Sequence, residues 1–354
     1  MGLLQRLFKP SMQHHPTQLS LSRLPYHGPN KKYKIIQHNL VLSNLPAPLH
    51  YLNFSTLFGK SNCDVWRIPR ISAVSCRNAV AVMCSSSPHM VGQLNHYAFY
   101  DNGIDFCFNS KEQLFGTIPE FNINRQDTEL SIDLKIQLLP VASQISMIRF
   151  GLAEHWAAMC HCEGMIQYQN QQFDIQQLGQ FGFFRSRILP YSPIVFYTYQ
   201  VICLQQDRQI TLLQTRDRWN QVILSKIFIH DLKNQSSVCF QNSVFFKVHR
   251  VYPAIQTANS QTMYLPREFE WCYADENGTR IWLQAQSRGD YKFGRGAGFA
   301  GSFSYQIKMN DELEEGEGGY IEYIDCRPLK FQEQDKTQKF LEDFANPVPF
   351  FAKK

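Results

Sequence analysis

A strict alternation of apolar and polar residues marks the segment from Phe303 to Met309. Its apolar residues fall on one face, and Ser304, Gln306 and Lys308 fall on the other. This period of two is typical of a β-strand with one buried side. Glu129–Leu138 repeats the pattern in the first half of the chain. Since the chain is 14% aromatic and only 18% charged, the sequence favours β structure in both halves.

The residues after this strand predict a turn and a return strand. Residues 310–319 carry five acidic residues and three glycines, a composition that predicts a solvated loop. Tyr320–Arg327 alternates again and predicts the next strand. Glu322 and Asp325 lie on opposite faces of that strand, so whichever face is inward carries at least one acid.

Three glycines before the strand, Gly296, Gly298 and Gly301, match the G-x-G-x-x-G spacing of dinucleotide-binding sites. That site needs a preceding strand and a following helix, whose N-terminus receives the pyrophosphate. Here the pattern predicts a following strand. We therefore expect these glycines to permit a turn, a bulge or a sharp bend.

Turn signals divide the chain into two similar halves. Asn102-Gly103 and Asn277-Gly278 predict tight hairpins, and His155–Tyr168 with Phe173–Phe184 predicts a longer one. Ser186–Pro193 contains two prolines and predicts a junction. Many short strands with almost no helix indicate an all-β chain of two tandem antiparallel barrels or sandwiches. The predicted parts are an extended basic arm (1–37), a first β domain (38–187), a second β domain (188–327), and a tail (328–354) containing a helix over Phe331–Phe344. We also expect one strand over Val238–Val251.

Charge is concentrated in the arm. The net charge is +5, yet seven basic residues and no acidic residue precede Asp64. Such an arm suits either a peripheral contact with an anionic membrane or a solvated, wrapping extension. We expect no nucleic-acid partner. The sequence shows no signal peptide and no apolar run of membrane-spanning length, so we expect a cytoplasmic protein whose ten cysteines stay reduced.

Three segments resemble a known group of proteins. Trp156–Gly164, Gly294–Gly301 and Gly319–Arg327 are similar to an uncharacterised bacterial family that resembles the tandem lipocalin-like proteins of the AttH and hydroxyneurosporene synthase (carotenoid 1,2-hydratase) type. The resemblance covers about residues 38–327 and implies two calycin-like barrels and an apolar ligand. The first half has Phe181-Gly182-Phe183 where an acid resembling Glu322 is expected.

The acids of the last strand are the candidate catalytic residues. A carboxyl group in an apolar barrel has a raised pKa and can act as a general acid near neutral pH. Glu322 and Asp325, beside Arg327, could thus protonate an alkene. The alternative is a structural ion pair between Asp325 and Arg327 at the strand end.

Candidate ligand-binding residues lie in both halves. His161 and Glu163, two apart on a strand, could line one cavity, or they could make structural hydrogen bonds. Tryptophan and tyrosine side chains could line a cavity or belong to the core. Cys160-His161-Cys162 lacks a second pair of ligands, so we expect no metal and no cofactor. The full predicted ligand-binding set is His96, Trp156, His161, Glu163, Trp271, Trp282, Tyr323 and Arg327.

Two functions remain open. The chain could bind a hydrophobic or lipid-like small molecule without changing it. Alternatively, it could be an enzyme that hydrates or isomerises an apolar, isoprenoid-like substrate by acid catalysis. A purely structural or partner-binding protein is a third interpretation.

Overall fold

The structure is a computed structural model that describes residues 19–59, 65, 79–96, 98–100, 105–109, 111–187, 193–257, 262–276, 278–294, 296 and 298–327, with side chains omitted at 79, 91–100 and 109. Its regular elements are strands and two short 3-10 turns, Leu21–Arg23 and Arg149–Gly151. The first eleven strands are β1 (Ile35–Ser43), β2 (Tyr51–Phe58), β3 (Ala79–Ser85), β4 (Met90–His96), β5 (Ala98–Tyr100), β6 (Asp105–Asn109), β7 (Glu112–Thr117), β8 (Glu120–Arg125), β9 (Leu130–Ile148), β10 (Ala153–Tyr168) and β11 (Gln171–Ser186).

The remaining strands are β12 (Ile194–Cys203), β13 (Arg208–Asp217), β14 (Val222–Asp231), β15 (Ser236–Gln241), β16 (Val244–Val251), β17 (Ile255–Gln256), β18 (Thr262–Met263), β19 (Pro266–Ala274), β20 (Arg280–Ser287), β21 (Lys292–Phe293), β22 (Phe299–Met309) and β23 (Glu312–Asp325). All their pairings are antiparallel. The predicted all-β fold is confirmed.

The strands form two large sheets that curl into barrels. The first sheet has the order β4-β3-β2-β1-β11-β10-β9-β8-β7-β6-β5, and the second runs β15-β14-β13-β12-β23-β22-β20-β19-β16. The edge strands β4 and β5 are separated in the chain by residue 97 alone, and β15 and β16 by residues 242 and 243. Each sheet must therefore bend round until its two edges meet. We call these sheets the first and second barrels; the chain passes from one to the other between Ser186 and Ile194, whereas the domain boundaries remain predictions.

Each barrel is filled by aromatic and aliphatic side chains. Trp156, Phe181 and Phe183 are buried in the first barrel, and Trp271 and Phe269 in the second. The N-terminal segment completes the first core, since Leu19, Leu21, Leu24 and Tyr26 pack against it. This part of the arm therefore wraps the barrel. The last residues of the predicted arm belong to β1, which begins at Ile35.

The two barrels pack through strands that are buried on both faces. Every residue of β1 and β2 is buried, and so are the first nine residues of β12. On β1, Leu40 points into the first barrel, whereas Val41 belongs to the apolar cluster of the second. A polar residue on the outer face of these strands consequently lies between the barrels rather than in water.

Two predictions of strand position were wrong. Val238–Val251 is two strands, because Asn242 adopts a φ of 70° and sends β16 to the opposite edge of the sheet. The acidic segment predicted as a loop is strand from Glu312 onward and pairs with β22. It can remain extended because Glu312, Glu315 and Glu317 are exposed to solvent. Glu314 is largely buried and forms an ion pair with Arg208, which also contacts Glu312.

The predicted hairpins are confirmed where they can be seen. Strands β10 and β11 pair along their whole length. The strands that flank residues 101–104 and 275–279 also pair, although Asn102, Gly103 and Asn277 lie outside the described residues. Gly296, at φ 59°, lies in the turn between β21 and β22, so a strand follows the glycines as predicted. The predicted C-terminal helix, over Phe331–Phe344, falls outside the described residues.

Candidate functional site

Glu322 lies between the two barrels. It lies near the C-terminal end of β23, where it pairs with Tyr199 of β12 and Ala300 of β22, and it is only 4% exposed. Its Oε1 accepts a hydrogen bond from Nδ2 of Asn39 at 3.0 Å and another from the hydroxyl of Tyr320 at 2.9 Å. Because Asn39 belongs to β1, the predicted catalytic carboxylate is held jointly by both barrels.

The amide of Asn39 is itself held in place. Nδ2 of Asn53, on β2, donates to Oδ1 of Asn39 at 2.7 Å, which leaves the Nδ2 group of Asn39 directed at Glu322. The Tyr51 ring lies 5.6 Å from the Tyr320 ring and covers it from the first barrel. Amide and hydroxyl groups that donate hydrogen bonds to a buried carboxyl group fix its position.

A second polar network continues along the same interface. Gln180 of β11 accepts a bond from the hydroxyl of Tyr199 and donates to Oγ1 of Thr211 at 2.6 Å. Thr211 lies 3.2 Å from Nε2 of His230, whose Nδ1 is 3.4 Å from the hydroxyl of Ser143. Burial lowers the pKa of His230 to about 4, so the imidazole is neutral near pH 7.

Sequence reasoning missed these interface residues. Asn39, Gln180, Thr211 and His230 occupy the polar face of alternating strands, which is normally the solvent face. Only the packing of a second barrel buries that face. Unbroken burial of β1 and β12 is the relevant signal, and it is visible only in the folded chain.

Asp325 is separated from Glu322 by the alternation of the strand. It is bound by Arg327, whose Nε donates to Oδ1 at 2.7 Å, and Tyr323 places its hydroxyl 3.5 Å from Oδ2. The Arg327 guanidinium also lies 4.6 Å from the centre of the Phe196 ring. The pair thus has the geometry of the structural alternative, an ion pair at the strand end, and the two predicted catalytic acids do not share a site.

The predicted ligand-binding residues are not brought together. Trp156 and Trp271 lie in different cores, where their indole nitrogens donate to Pro25 O at 2.8 Å and to Gln200 Oε1 at 3.1 Å. Trp282 is half-buried on the outer face of β20, His161 is half-buried and Glu163 is exposed. His96 ends β4, and its side chain lies outside the described part. The site assignment of these residues remains a prediction.

A cleft of about 550 Å³ opens on the second barrel, away from the predicted residues. Its wall combines an apolar strip, Val251, Tyr252 and Pro253, with two arginines. The Tyr252 hydroxyl donates to Ser287 O at 3.1 Å, which fixes the ring. The complete lining is Val251, Tyr252, Pro253, Arg267, Gln286, Ser287, Arg288 and Ser304.

The arginines of the cleft differ in their surroundings. Arg288 forms an ion pair with Glu317, which is 71% exposed, and donates to Glu317 O at 3.1 Å. Arg267 is half-buried. A surface ion pair of this kind contributes little to stability, so an anion can replace the Glu317 carboxylate at small cost.

Two further features bear on function. Among the described residues, no three His, Cys, Asp or Glu side chains converge in a way that could hold a metal ion. Within the same residues, no helix has the length and apolar character required to cross a bilayer.

The sulfur atoms of Cys160 and Cys162 lie 3.6 Å apart as free thiols, on one face of β10 as the alternation predicts.

Solved structures with a similar fold are known. The AttH-like protein of Nitrosomonas europaea aligns with 90% of this chain and 100% of its own, with a TM-score of 0.61 and 11% identity. Kievitone hydratase from Nectria haematococca aligns with 82% of this chain and 89% of its own, with a TM-score of 0.56 and 8% identity. At such identities the likeness concerns the fold alone, and it confirms the expected tandem lipocalin-like architecture.

Sequence comparison identifies the family. No curated protein matches the chain in sequence. The profile of the family described as "Family of unknown function (DUF6670)" matches residues 55–338. This match spans most of both barrels, and the chain therefore belongs to the DUF6670 family.

Proposed function

We propose that this protein binds an amphipathic small molecule, an apolar compound carrying an acidic group, in the cleft on the second barrel. The observation that carries the proposal is the lining of the cleft, where Arg267 and Arg288 stand beside Val251, Tyr252 and Pro253. A volume of about 550 Å³ lies within the range of small-molecule sites. The apolar strip would contact the body of the ligand, and the guanidinium groups would bind its carboxylate or phosphate.

Contacts within the protein hold the aromatic wall of the cleft in place. The Tyr252 ring is fixed by its bond to Ser287 O and by an edge contact with the Tyr291 ring, 6.2 Å away. The Tyr291 hydroxyl donates to Pro266 O at 2.8 Å. A wall that is already ordered loses little conformational entropy on binding.

The proposal is tested by comparing dodecanoate with dodecanol in a binding assay on the full chain. The two probes share an apolar chain and differ in the acidic group, so we expect tighter binding of dodecanoate. Replacement of Arg267 or Arg288 by Gln should weaken dodecanoate binding about tenfold and leave dodecanol binding unchanged. Arg280→Gln, at an exposed strand end, is the matched control. Equal affinity for both probes, or no binding of either, would refute the proposal.

A second candidate function is acid-catalysed hydration of an apolar alkene, with Glu322 as the acid. Its support is the burial of Glu322 between the barrels, where Oε1 is bound by the neutral groups of Asn39 and Tyr320. Glu322 also shares a sheet face with the cleft, because Ala300, Ser302 and Ser304 alternate on β22 beside it. A fold neighbour carries the name kievitone hydratase, and this name is a further reason to propose the addition of water.

The chemistry of that step balances. Protonated Glu322 would transfer its proton to one alkene carbon as the π bond breaks, and water would attack the resulting carbocation at the other carbon. The oxygen would then lose a proton to the Glu322 carboxylate, which restores the acid. Asn39 and Tyr320 would hold the carboxyl group throughout.

Labelled water tests this second function. The full chain is incubated with kievitone and, separately, with the isoprenoid alkene squalene in ¹⁸O-water, and the products are analysed by mass spectrometry. We expect one molecule of labelled water to be gained by an alkene substrate, a gain lost in Glu322→Gln and kept in Asp325→Asn. Turnover that survives Glu322→Gln would rule out this role for Glu322.

A further inference from the structure

Two aromatic side chains project into solvent from turns of different barrels. Phe150, between β9 and β10, is 80% exposed, and Trp219, between β13 and β14, is 67% exposed. Exposure of such large apolar groups costs free energy in water. Neither ring belongs to a core cluster, so both are accessible to a partner outside the chain.

Both turns lie at the same end of the molecule. Nζ of Lys226 donates to Ile145 O at 3.1 Å, which joins β9 shortly before the turn of Phe150 to β14 shortly after the turn of Trp219. Arg187 N donates to Leu152 O at 2.9 Å, beside the first turn, and Ile194 pairs with Asp217, beside the second. Arg187 and Ile194, seven positions apart in sequence, therefore each lie beside one of the two turns.

The turn conformations hold both rings outward. Phe150 and Gly151 have φ of 62° and 61°, and Leu152 N donates to Arg149 O at 3.4 Å. These are features of a type I′ turn, in which the position of Phe150 favours Asn, Asp or Gly. A bulky side chain at positive φ is strained, and such strain is concentrated at functional sites.

The second turn is held by a buried acid. Oδ1 of Asp217 accepts bonds from the backbone N–H of Trp219 and of Gln221, both at 2.9 Å. Asn220 completes the turn at φ 65°. Trp219 is thus displayed from an ordered loop rather than a loose one.

Charge distinguishes the two ends of the molecule. The segments 31–34, 149–151 and 216–221 lie at the aromatic end, where Lys34 N donates to Ser186 O at 3.1 Å. Their single acid, Asp217, is buried. Their basic residues are Lys31, Lys32, Lys34, Arg149, Arg216 and Arg218.

The opposite end carries the reverse charge. It is marked by the contact between Ser43 Oγ and Cys203 Sγ, 3.5 Å apart. The turns 204–208, 231–236 and 310–315 at that end contain two bases, Arg208 and Lys233. They contain six acids, Asp207, Asp231, Asp311, Glu312, Glu314 and Glu315.

We propose that the aromatic end docks on an anionic membrane surface. Phe150 and Trp219 would enter the headgroup region, which aromatic side chains favour. The five exposed bases would contact lipid phosphates and carboxylates, whereas the guanidinium of Arg216 is bonded within the protein. The acidic end would face away, because the same surface repels it. This inference is independent of the ligand proposed for the cleft.

The test uses the full chain and vesicles of phosphatidylcholine with and without phosphatidylserine. We expect binding only to vesicles containing phosphatidylserine, and weaker binding as salt is added. Phe150→Asn and Trp219→Ser should each reduce the partition coefficient roughly tenfold. Arg149→Gln and Arg218→Gln should each reduce it about fivefold.

Matched controls separate docking from folding and from general stickiness. Phe245→Ser and Leu313→Ser remove side chains that are 67% and 57% exposed elsewhere, and they should leave binding unchanged. Phe150→Asn should unfold at the same temperature as the native chain or higher, because Asn tolerates positive φ. Brominated lipid should quench the emission of the native chain more than that of Trp219→Phe.

Three results would overturn the proposal. The first is the absence of binding to phosphatidylserine vesicles. The second is binding that survives loss of both aromatic rings, which would assign the contact to the basic arm instead. The third is binding of single-stranded RNA with no vesicle binding, which would identify the basic end as a nucleic-acid surface.

Discussion

The side-chain amide of Asn39 and the carboxylate of Glu322, 283 positions apart in sequence, meet across the two barrels at 3.0 Å. An uncharged donor at this point is important, because a second carboxylate would place two like charges in a buried interface. The hydrogen bond between these two residues therefore ties the position of the candidate acid to the packing of the barrels.

Asn39→Asp should destabilise the protein by about 3 kcal/mol, because it replaces a hydrogen bond with repulsion between buried carboxylates. Urea unfolding near pH 7 measures the change. In a Glu322→Gln background the same substitution should cost much less. If the two effects simply add to within about 0.5 kcal/mol, the residues are not coupled in the way the structure shows.

The fold was largely predictable from alternation, whereas the candidate site was not. Period-two patterns in β9, β10 and β22 identify strands because one face of each is apolar. The same reasoning could not identify the face of Asn39 and Gln180 as an interface, since nothing local distinguishes a face covered by water from one covered by a second barrel. It also excluded Glu312–Glu317 from the sheet, although charged side chains are compatible with a strand whose outer face is wet.

His38 should make the first barrel sensitive to acid. Its ring is fully buried, 5.1 Å from the Phe106 ring, and Nδ1 lies 2.8 Å from Thr56 Oγ1. Burial, with a smaller effect of His27, lowers its pKa from 6.5 to about 3. His38 therefore takes up a proton at a higher pH in the unfolded chain than in the folded chain. Its contribution to stability is fully present above pH 6.5 and is lost as the pH falls toward 3.

The loss assigned to His38 is roughly 1.4 kcal/mol for each pH unit within that window. His38→Phe, which fills an aromatic environment, should flatten the decline. Thermal unfolding of both proteins between pH 7 and pH 4 checks this. Parallel curves for the two proteins would mean that His38 does not carry the acid sensitivity.

Trp156 should control the attachment of the N-terminal segment, because its indole nitrogen donates to Pro25 O. Trp156→Phe removes this bond and leaves a gap, at a cost of about 1–3 kcal/mol. Trypsin should then cut faster after Arg23, Lys31 and Lys32. Trp282→Phe, on the outer face of the second barrel, serves as the control and should leave the cleavage rate unchanged; faster cleavage there too would indicate general loosening.

Gly164 and Gly278 allow the cost of a positive φ to be distinguished from the cost of a steric clash with a Cβ atom. Gly164 has a φ of 137°, and a Cβ at this position would lie 2.2 Å from Asp133 O. Gly278 has a φ of 87°, with nothing within 4 Å of its Cβ position. Gly278→Ala should cost about 1–2 kcal/mol, whereas Gly164→Ala should cost at least ~3 kcal/mol because β9 must move. Equal losses on chemical unfolding would contradict the close approach at Gly164.

The short links between β4 and β5 and between β15 and β16 affect the tendency of the protein to aggregate at high concentration. Open sheets present rows of unpaired amides and carbonyls to which other chains can add, and this is a common route to aggregation. Here the first and last strands of each sheet are tethered to one another by one or two residues. A neighbouring molecule therefore meets no long unpaired strand edge to which it could add. This protection is important for a chain whose strands are rich in aromatic residues.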